Sequence, residues 1–219
     1  MNSSMRTPGK AAKGVKGMPM RSRTGVAYRF DPGALCLELL TTGGPGPYQR
    51  YEVLHEPADL AAWADRSRLA PSPAPVLEIT ESEVADARRV RDALFRIVMA
   101  LTDDTALTGD KAGQSGPADV ATLNEAAARP PLAPAIGPDG TRHWARPANG
   151  TQLLATVARD AVELLTGEFA HRVRGCAADN CRLVYVDTSR PGSRRWCSME
   201  HCGNLHKVRA LRARTADGL

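Results

Sequence analysis

Residues 176–202 read CAADNCRLVYVDTSRPGSRRWCSMEHC, a stretch with four cysteines in two equally spaced pairs. Cys176-x4-Cys181 is followed by 15 residues and then by Cys197-x4-Cys202, and the pairs bracket a short β-like run from Leu183 to Val186. Zinc takes four tetrahedral ligands, and close pairs of thiolates let two short loops close around it without a large core. A module of about 40 residues has too little apolar area to fold alone, so a bound metal would supply much of its folding energy. Unligated buried thiols and an iron–sulfur cluster are the alternatives. His201 and His206 flank Cys202 and could each replace a thiolate, but the symmetric spacing favours the four cysteines. Four thiolates leave no open position for a catalytic water, so the site reads as structural.

The charge around this stretch is uneven. Residues 1–29 hold seven Lys or Arg and no acid, residues 30–170 hold 12 bases and 20 acids, and residues 171–219 hold ten bases and four acids. The segment charges of +7, −8 and +6 return the net +5 of the chain. An acidic body with two basic ends suggests that the ends meet a polyanion, because clustered positive charge repels itself unless a partner neutralises it. For the N-terminal end, a solvated tail and a dedicated binding arm are both consistent with the composition. At 219 residues the chain has room for one medium domain and a small appended module.

Outward from the cysteines, residues 1–25 are rich in Gly, Ser, Lys and Arg without either period and read as an unstructured basic tail. The apolar run from Val26 to Thr42 contains Cys36, a core residue by its setting, and fits a strand or a buried helix equally. TTGGPGPYQR is a turn, and Glu56-Pro57 opens a short helix. PSPAP at 71–75 breaks the chain. Thr80 or Ser82 caps a long helix near 81–102, with Val84, Ala87, Val90, Leu94, Ile97 and Leu101 at three- and four-residue intervals. A loop through GDKAGQSGP leads to a shorter helix near 118–128, and Asp139-Gly140 between Ile136 and Trp144 marks a hairpin turn. A second long helix runs from about Asn149 to Leu165, with Leu153, Val157, Val162 and Leu165 on one side, and Gly167 stops it.

From residue 190 to residue 214 the chain carries Arg190, Arg194, Arg195, Lys207, Arg209, Arg212 and Arg214. Such density is the electrostatic footprint of phosphate binding. Residues 204–214 can form a helix whose Val208 and Leu211 dock on the metal module while the arginines face outward to phosphates or guanine edges. An ordinary solvated basic helix is the alternative. Trp196 is expected to pack over the metal site.

CRLVYVDTSRPGSRRWCSMEHCGNLHKVRALRAR resembles the C-terminal module of the CGNR zinc-finger proteins, bacterial transcription regulators. The resemblance implies Zn2+ on Cys176, Cys181, Cys197 and Cys202, and it covers the Asp-x-Ser element at Asp187 to Ser189 and Arg-Arg-Trp-Cys at Arg194 to Cys197. The family's naming tetrapeptide continues here as Cys202, Gly203, Asn204 and Leu205, with leucine in place of arginine; His206 and Lys207 follow. Residues 28–174 resemble the ABATE domain of the same family. Together these readings predict an α+β protein: a basic tail over 1–25, a mainly helical domain with a small sheet or hairpins over 26–170, and a zinc finger with a basic C-terminal helix over 171–219.

The function this implies is a zinc-dependent transcription regulator that contacts DNA through Arg190, Arg194, Arg195, Asn204, His206, Lys207, Arg209, Arg212 and Arg214. Its body would sense a small-molecule effector or make a homodimer. The alternative is a protein-interaction adaptor whose zinc module docks on an acidic partner. An enzyme is not expected: His55, His143 and His171 form no catalytic spacing, and TTGGPG lacks the lysine and helix of a phosphate-binding loop. Trp63, Trp144 and Tyr48 are candidate lining for an effector pocket, or else ordinary core. No run approaches the roughly 18 to 20 apolar residues of a membrane span, and the N-terminus lacks a secretory apolar stretch, so a cytoplasmic, nucleoid-associated protein is expected.

Overall fold

In the computed structural model, residues 17–22, 25–69, 76–102, 115–178 and 181–216 are described. The chain is mostly helical with four two-stranded sheets among these residues. Strands β1 (Met18–Arg21) and β2 (Ala27–Phe30) form an antiparallel hairpin, followed by a short helix, α1 (Leu35–Leu39). Helix α2 (Pro57–Arg66) starts with proline at its first position, and the Asp59 carboxylate accepts from the amides of His55 and Glu56. Residues 71–75, expected to break the chain, lie outside the described residues, as does most of the loop before the fourth helix.

Three helices pack on one another to make the body: α3 (Glu81–Leu101), α4 (Pro117–Ala128) and α5 (Gly150–Thr166). Thr80 caps α3, its hydroxyl accepting from the amide of Glu83 at 3.3 Å while the Glu83 carboxylate accepts from the amide of Thr80 at 2.9 Å. The other oxygen of Glu83 accepts from the amide and hydroxyl of Thr151 at 2.7 and 2.9 Å, so one side chain serves the first turns of both α3 and α5. Asn149 caps α5 in its own right.

The buried stripe of α3 is Val84, Ala87, Val90, Leu94 and Val98, facing Leu153, Leu154, Val157, Ala158 and Ala161 of α5. The expected stripe differs at its end: Ile97 is only half-buried and Leu101 is 56% exposed, with Val98 and Met99 taking the core positions. A 3.6-residue period drifts across a fixed heptad spacing over 21 residues, and the core follows the drift. Arg91, 1% exposed, sits in the same helix; its guanidinium grips both oxygens of Glu52 at 2.7 and 2.8 Å and reaches Asp92 at 2.8 Å. Gly43 has φ +141°, and a Cβ there would stand 2.9 Å from that guanidinium, so glycine gives the arginine its room.

Strand β3 (Leu77–Glu78) pairs in parallel with β6 (Ala148–Asn149), and β4 (Pro134–Ile136) pairs with β5 (Arg142–Trp144) as the hairpin the Asp139-Gly140 turn predicts. The last sheet, β7 (Val173–Gly175) with β8 (Val184–Val186), carries the cysteine module. The last element among the described residues is α6 (Asn204–Ala216).

Two expectations need correction. Residues 17–22 belong to an ordered hairpin, although the tail was expected to be unstructured through residue 25; residues 1–16 and 23–24 lie outside the described residues. Met18, Met20, Tyr28 and Phe30 share one face of that hairpin, with period two, and bury against elements far along the chain. Val208, expected to dock α6 on the module, is 45% exposed, Leu205 is 44% exposed, and the side chain of Leu211 lies outside the described residues; the helix makes its main contacts with the turn just before it. Among its first six residues only two are apolar, too few for a stripe wide enough to bury.

Candidate metal centre and basic helix

The two cysteine pairs are delivered by different local structures. Cys176 follows β7, and its amide donates to the Leu183 carbonyl at 3.0 Å, extending the β7–β8 ladder. The Cys181 amide donates to the Ala178 carbonyl at 2.9 Å, and the second thiol lies beside the first. Cys202 sits in a wide helical turn, Met199–Gly203, closed by the amide of Gly203 donating five residues back to Ser198 at 3.0 Å. A Cβ on Gly203 would lie 2.9 Å from Met199 Sδ and 3.4 Å from Trp196, so this glycine lets the turn close under the indole.

All four sulfurs lie within 4.8 Å of one another, with Cys197–Cys202 at 3.5 Å and Cys181–Cys197 at 3.7 Å. Disulfide bonding would need sulfurs about 2 Å apart. A tetrahedron of thiolates at the ordinary zinc–sulfur length of about 2.3 Å has edges of about 3.8 Å, close to what is seen. The amide of Cys197 also donates to Cys176 Sγ at 3.3 Å. Without a cation the cluster can hold few negative charges: hydrogen bonds from Cys181 and Cys197 pull Cys176 far down, and the same contacts push Cys181 and Cys197 up. Burial raises Cys202. A divalent metal is what would let all four ionise together. The residues fit a metal ion held entirely by thiolates.

Around the thiols stands a small core of Phe30, Tyr185 and three of the cysteines, flanked by Met20, Tyr28, Leu183 and Trp196. Trp196 packs there as expected. The N-terminal hairpin supplies Met20, Tyr28 and Phe30, a contribution sequence reasoning missed. The Tyr28 ring stacks on His201 at 4.4 Å, and burial together with the nearby thiols pushes its hydroxyl well above its ordinary value. His201 is therefore a stacking partner outside the four-sulfur cluster.

Asp187, 1% exposed, organises the loop between the pairs. Its two oxygens accept from the amides of Ser189 and Arg194, each at 2.9 Å, which gives the Asp-x-Ser element a structural role. Burial works to raise this carboxyl, but those bonds outweigh it and hold it below its usual range.

The predicted basic contacts divide. Arg190, Arg195, Lys207, Arg209 and Arg212 are exposed, and Arg214 lies on α6 with its side chain outside the described residues, as is that of Leu211. Asn204 is exposed and donates to the Glu200 carbonyl at 3.2 Å. His206 is exposed on one side and packs against Trp196, ring centroids 4.6 Å apart. Arg194 differs from the expectation: its guanidinium points inward, bonding the carbonyls of Trp196, Cys197 and Asp31 over the Tyr185 ring at 4.0 Å. A phosphate would have to compete with four partners already satisfied. That arginine, with the Val186 amide donating to the Pro32 carbonyl at 2.7 Å, ties the module to the segment after β2.

The three aromatic residues suggested as pocket lining are used separately. Trp63 is buried, with its indole donating to the Glu38 carbonyl; Tyr48 packs on Phe95; Trp144 lies under the Arg142 guanidinium at 4.1 Å. Among the described residues no helix is long and apolar enough to cross a membrane.

A helical body joined to a four-cysteine metal knuckle and a basic terminal helix defines a two-part zinc-finger protein. Residues 33–168 match the model of the ABATE family, described as "Putative stress-induced transcription regulator", and residues 172–215 match that of the CGNR zinc finger. The first match covers well over half of the chain, which belongs to the ABATE family and carries a CGNR zinc finger at its C-terminal end. No curated protein matches it.

Proposed function

We propose that this chain is a DNA-binding transcription regulator whose C-terminal module is held by Zn2+ on Cys176, Cys181, Cys197 and Cys202. The observation that carries the reading is the contrast in α6: it is anchored at its start by the metal knuckle and exposes Lys207, Arg209 and Arg212. A rigid knuckle presenting an arginine-rich helix suits phosphate and base-edge contacts. Arg190 and Arg195 on the loop, Asn204 and His206 on the first turn, and Arg214 beyond complete the proposed surface.

On this reading the protein is no enzyme, and it works in the cytoplasm at the nucleoid. The body is a sensor or dimerisation unit, and the cleft of about 410 Å³ bounded by Met18, Thr42, Val53, Trp63 and Arg66 is where an effector would enter. The exposed Leu205 and Val208 favour a second reading, an adaptor that docks on an acidic protein through α6.

The test is to incubate metal-loaded protein with fragmented DNA from its source genome, recover and sequence the bound fragments, and repeat after stripping the metal. Enrichment of a few sites that disappears without metal is the expected result. Uniform weak recovery, or none, overturns the regulator reading and leaves the adaptor.

A further inference from the structure

Helix α6 has 13 residues, and among the described residues its main contacts are with the turn Met199–Gly203 that precedes it. A free helix of about 12–15 residues is marginal in water, so α6 owes its order largely to its root. Over 13 residues at about 1.5 Å each, a tilt of about 10° at that root moves the far end by about 3 Å, the whole length of a hydrogen bond. How the root is held therefore decides where Arg209 and Arg212 stand.

Two ring contacts meet there. The Trp196 indole packs on His206, in the first turns of the helix, with centroids 4.6 Å apart. The Tyr28 ring stacks on His201 at 4.4 Å, with 14° between the planes. The first contact is local to the finger, whereas the second is supplied by β2, from the other end of the sequence. Tyr28 is itself fixed. Met20, opposite it in the hairpin register, and Phe30 pack on the small core of thiols, and Met18, 4% exposed, reaches the core of the body. At the start of the hairpin Gly17 has φ +93°, and a Cβ there would stand 2.9 Å from the main chain of Phe30 and Asp31, so glycine lets the two strands close. The hairpin thus bridges the body and the root of α6, and residues 17–32 lie outside both family matches.

We infer that Tyr28 is a positioning residue for α6: its ring, stacked on His201, holds the root of the helix and makes the β1–β2 hairpin part of the DNA-binding unit. The inference rests on the DNA-binding reading above for its function and on the fold alone for its mechanics. Losing the stack lowers the population of α6 that is ordered and correctly aimed, and apparent affinity falls by that fraction. The number of phosphates neutralised, and with it the salt slope, stays the same.

The experiment compares the parent with Y28L, which keeps apolar bulk without the ring, and Y28F, which keeps the ring, all as full, metal-loaded chains. Metal content is checked first; should Y28L lose metal, Y28M, whose flexible chain fills the same space, replaces it. Amide exchange of α6 is followed without DNA, and affinity for a fluorescent mixed-sequence duplex of about 20 bp is measured between roughly 50 and 200 mM salt. In Y28L, exchange across α6 is expected to rise about 2- to 10-fold, the range of an aromatic contact beyond its buried area, and affinity to fall by a similar factor with the parental salt slope. Y28F should behave as the parent does. Parental exchange in Y28L, failure of Y28F alongside it, or a lowered salt slope overturns the inference. If the parent binds no duplex at any salt, the DNA-binding reading fails, while the exchange comparison still decides whether Tyr28 holds the helix.

Discussion

The helical body and the cysteine module hold themselves together by different means. In the body, α3 and α5 bury continuous apolar stripes, and one core takes in residues from Met18 to Val186. In the module, three of the five buried residues that form the local core are cysteines, and the rest are Phe30 and Tyr185. The body can draw on area removed from water, whereas the module must draw on a bond to metal. The difference predicts one region that tolerates metal loss and one that does not.

Metal removal is the largest test of that difference. Chelation, or Cys197→Ser, is expected to unfold the module, since structural zinc in small fingers contributes apparent free energies on the order of 10 kcal/mol. Amide exchange would report it: protection is lost from Cys176 and Cys181 to the turn at Cys202, it falls in β1, β2, β7 and β8, which rest partly on the thiols and partly on the body through Met18, Val173, Val184 and Val186, and α3 and α5 stay protected. Loss of protection in α3 and α5 at the same metal concentration would break the comparison.

The reciprocal test is Leu153→Ala. Leu153 is fully buried between α5 and the rest of the core, and truncation at such a site costs about 2–5 kcal/mol. Denaturant unfolding of the metal-loaded protein should show this loss in the body, while metal content in native buffer stays that of the parent. A variant that releases its metal in native buffer would show the two regions to be one cooperative unit.

How readily these regions can be read from sequence follows from the same difference. Paired cysteines announce a metal site because metal chemistry demands a ligand type and spacing that few other causes produce. The long helices announce themselves by Thr80, Asn149 and an apolar period, all local. The β1–β2 hairpin does not, because its apolar residues alternate with Pro19, Arg21 and Arg29 inside a basic stretch, and the surfaces they cover are built elsewhere: the body's core for Met18, the cysteine module for Met20, Tyr28 and Phe30. Arg194 shows another limit: within a run of arginines, nothing local distinguishes a guanidinium that binds carbonyls from one that faces solvent. Asp187, seven residues earlier, accepts from the main-chain amide of Arg194, a bond any residue but proline could make there, so it does not mark the guanidinium either. The helix α6 was legible as a helix, but the docking expected of Val208 was not realised, since two apolar residues near its start do not make a buried face.

Acid should separate the regions again, by a smaller amount. Burial works to raise Glu52, but the Arg91 hydrogen bonds and charge, with the amides of Val53 and Leu54, outweigh it and hold the carboxyl below its ordinary value. A carboxylate depressed on folding stabilises the body fully above its unfolded value of about 4.3, and that contribution is lost as pH falls through the lower folded value. The module must keep four thiols deprotonated, so it should release metal at a higher pH than that at which the body weakens. Metal release and helix unfolding followed in one acid titration check the order; simultaneous loss would contradict it.

The smallest effect is expected where the two regions meet. Arg68, just after α2, pairs with Asp31, just after β2, at 2.9 Å, and the two side chains are 36% and 39% exposed. An exposed pair of this kind contributes about 0–1 kcal/mol. The joint has firmer links beside it: the Val186 amide on the Pro32 carbonyl, and the Arg194 guanidinium on the Asp31 carbonyl, both of which use main-chain oxygens that no side-chain substitution removes. The Asp31 side chain also accepts from the amide of Gly33 at 2.9 Å, a bond an asparagine oxygen can keep. Asp31→Asn should therefore shift the unfolding free energy of the metal-loaded protein by less than about 1 kcal/mol and leave amide protection in β1 and β2 unchanged. A larger loss, confined to those two strands, would mean that charge rather than main-chain hydrogen bonding joins the hairpin to the body.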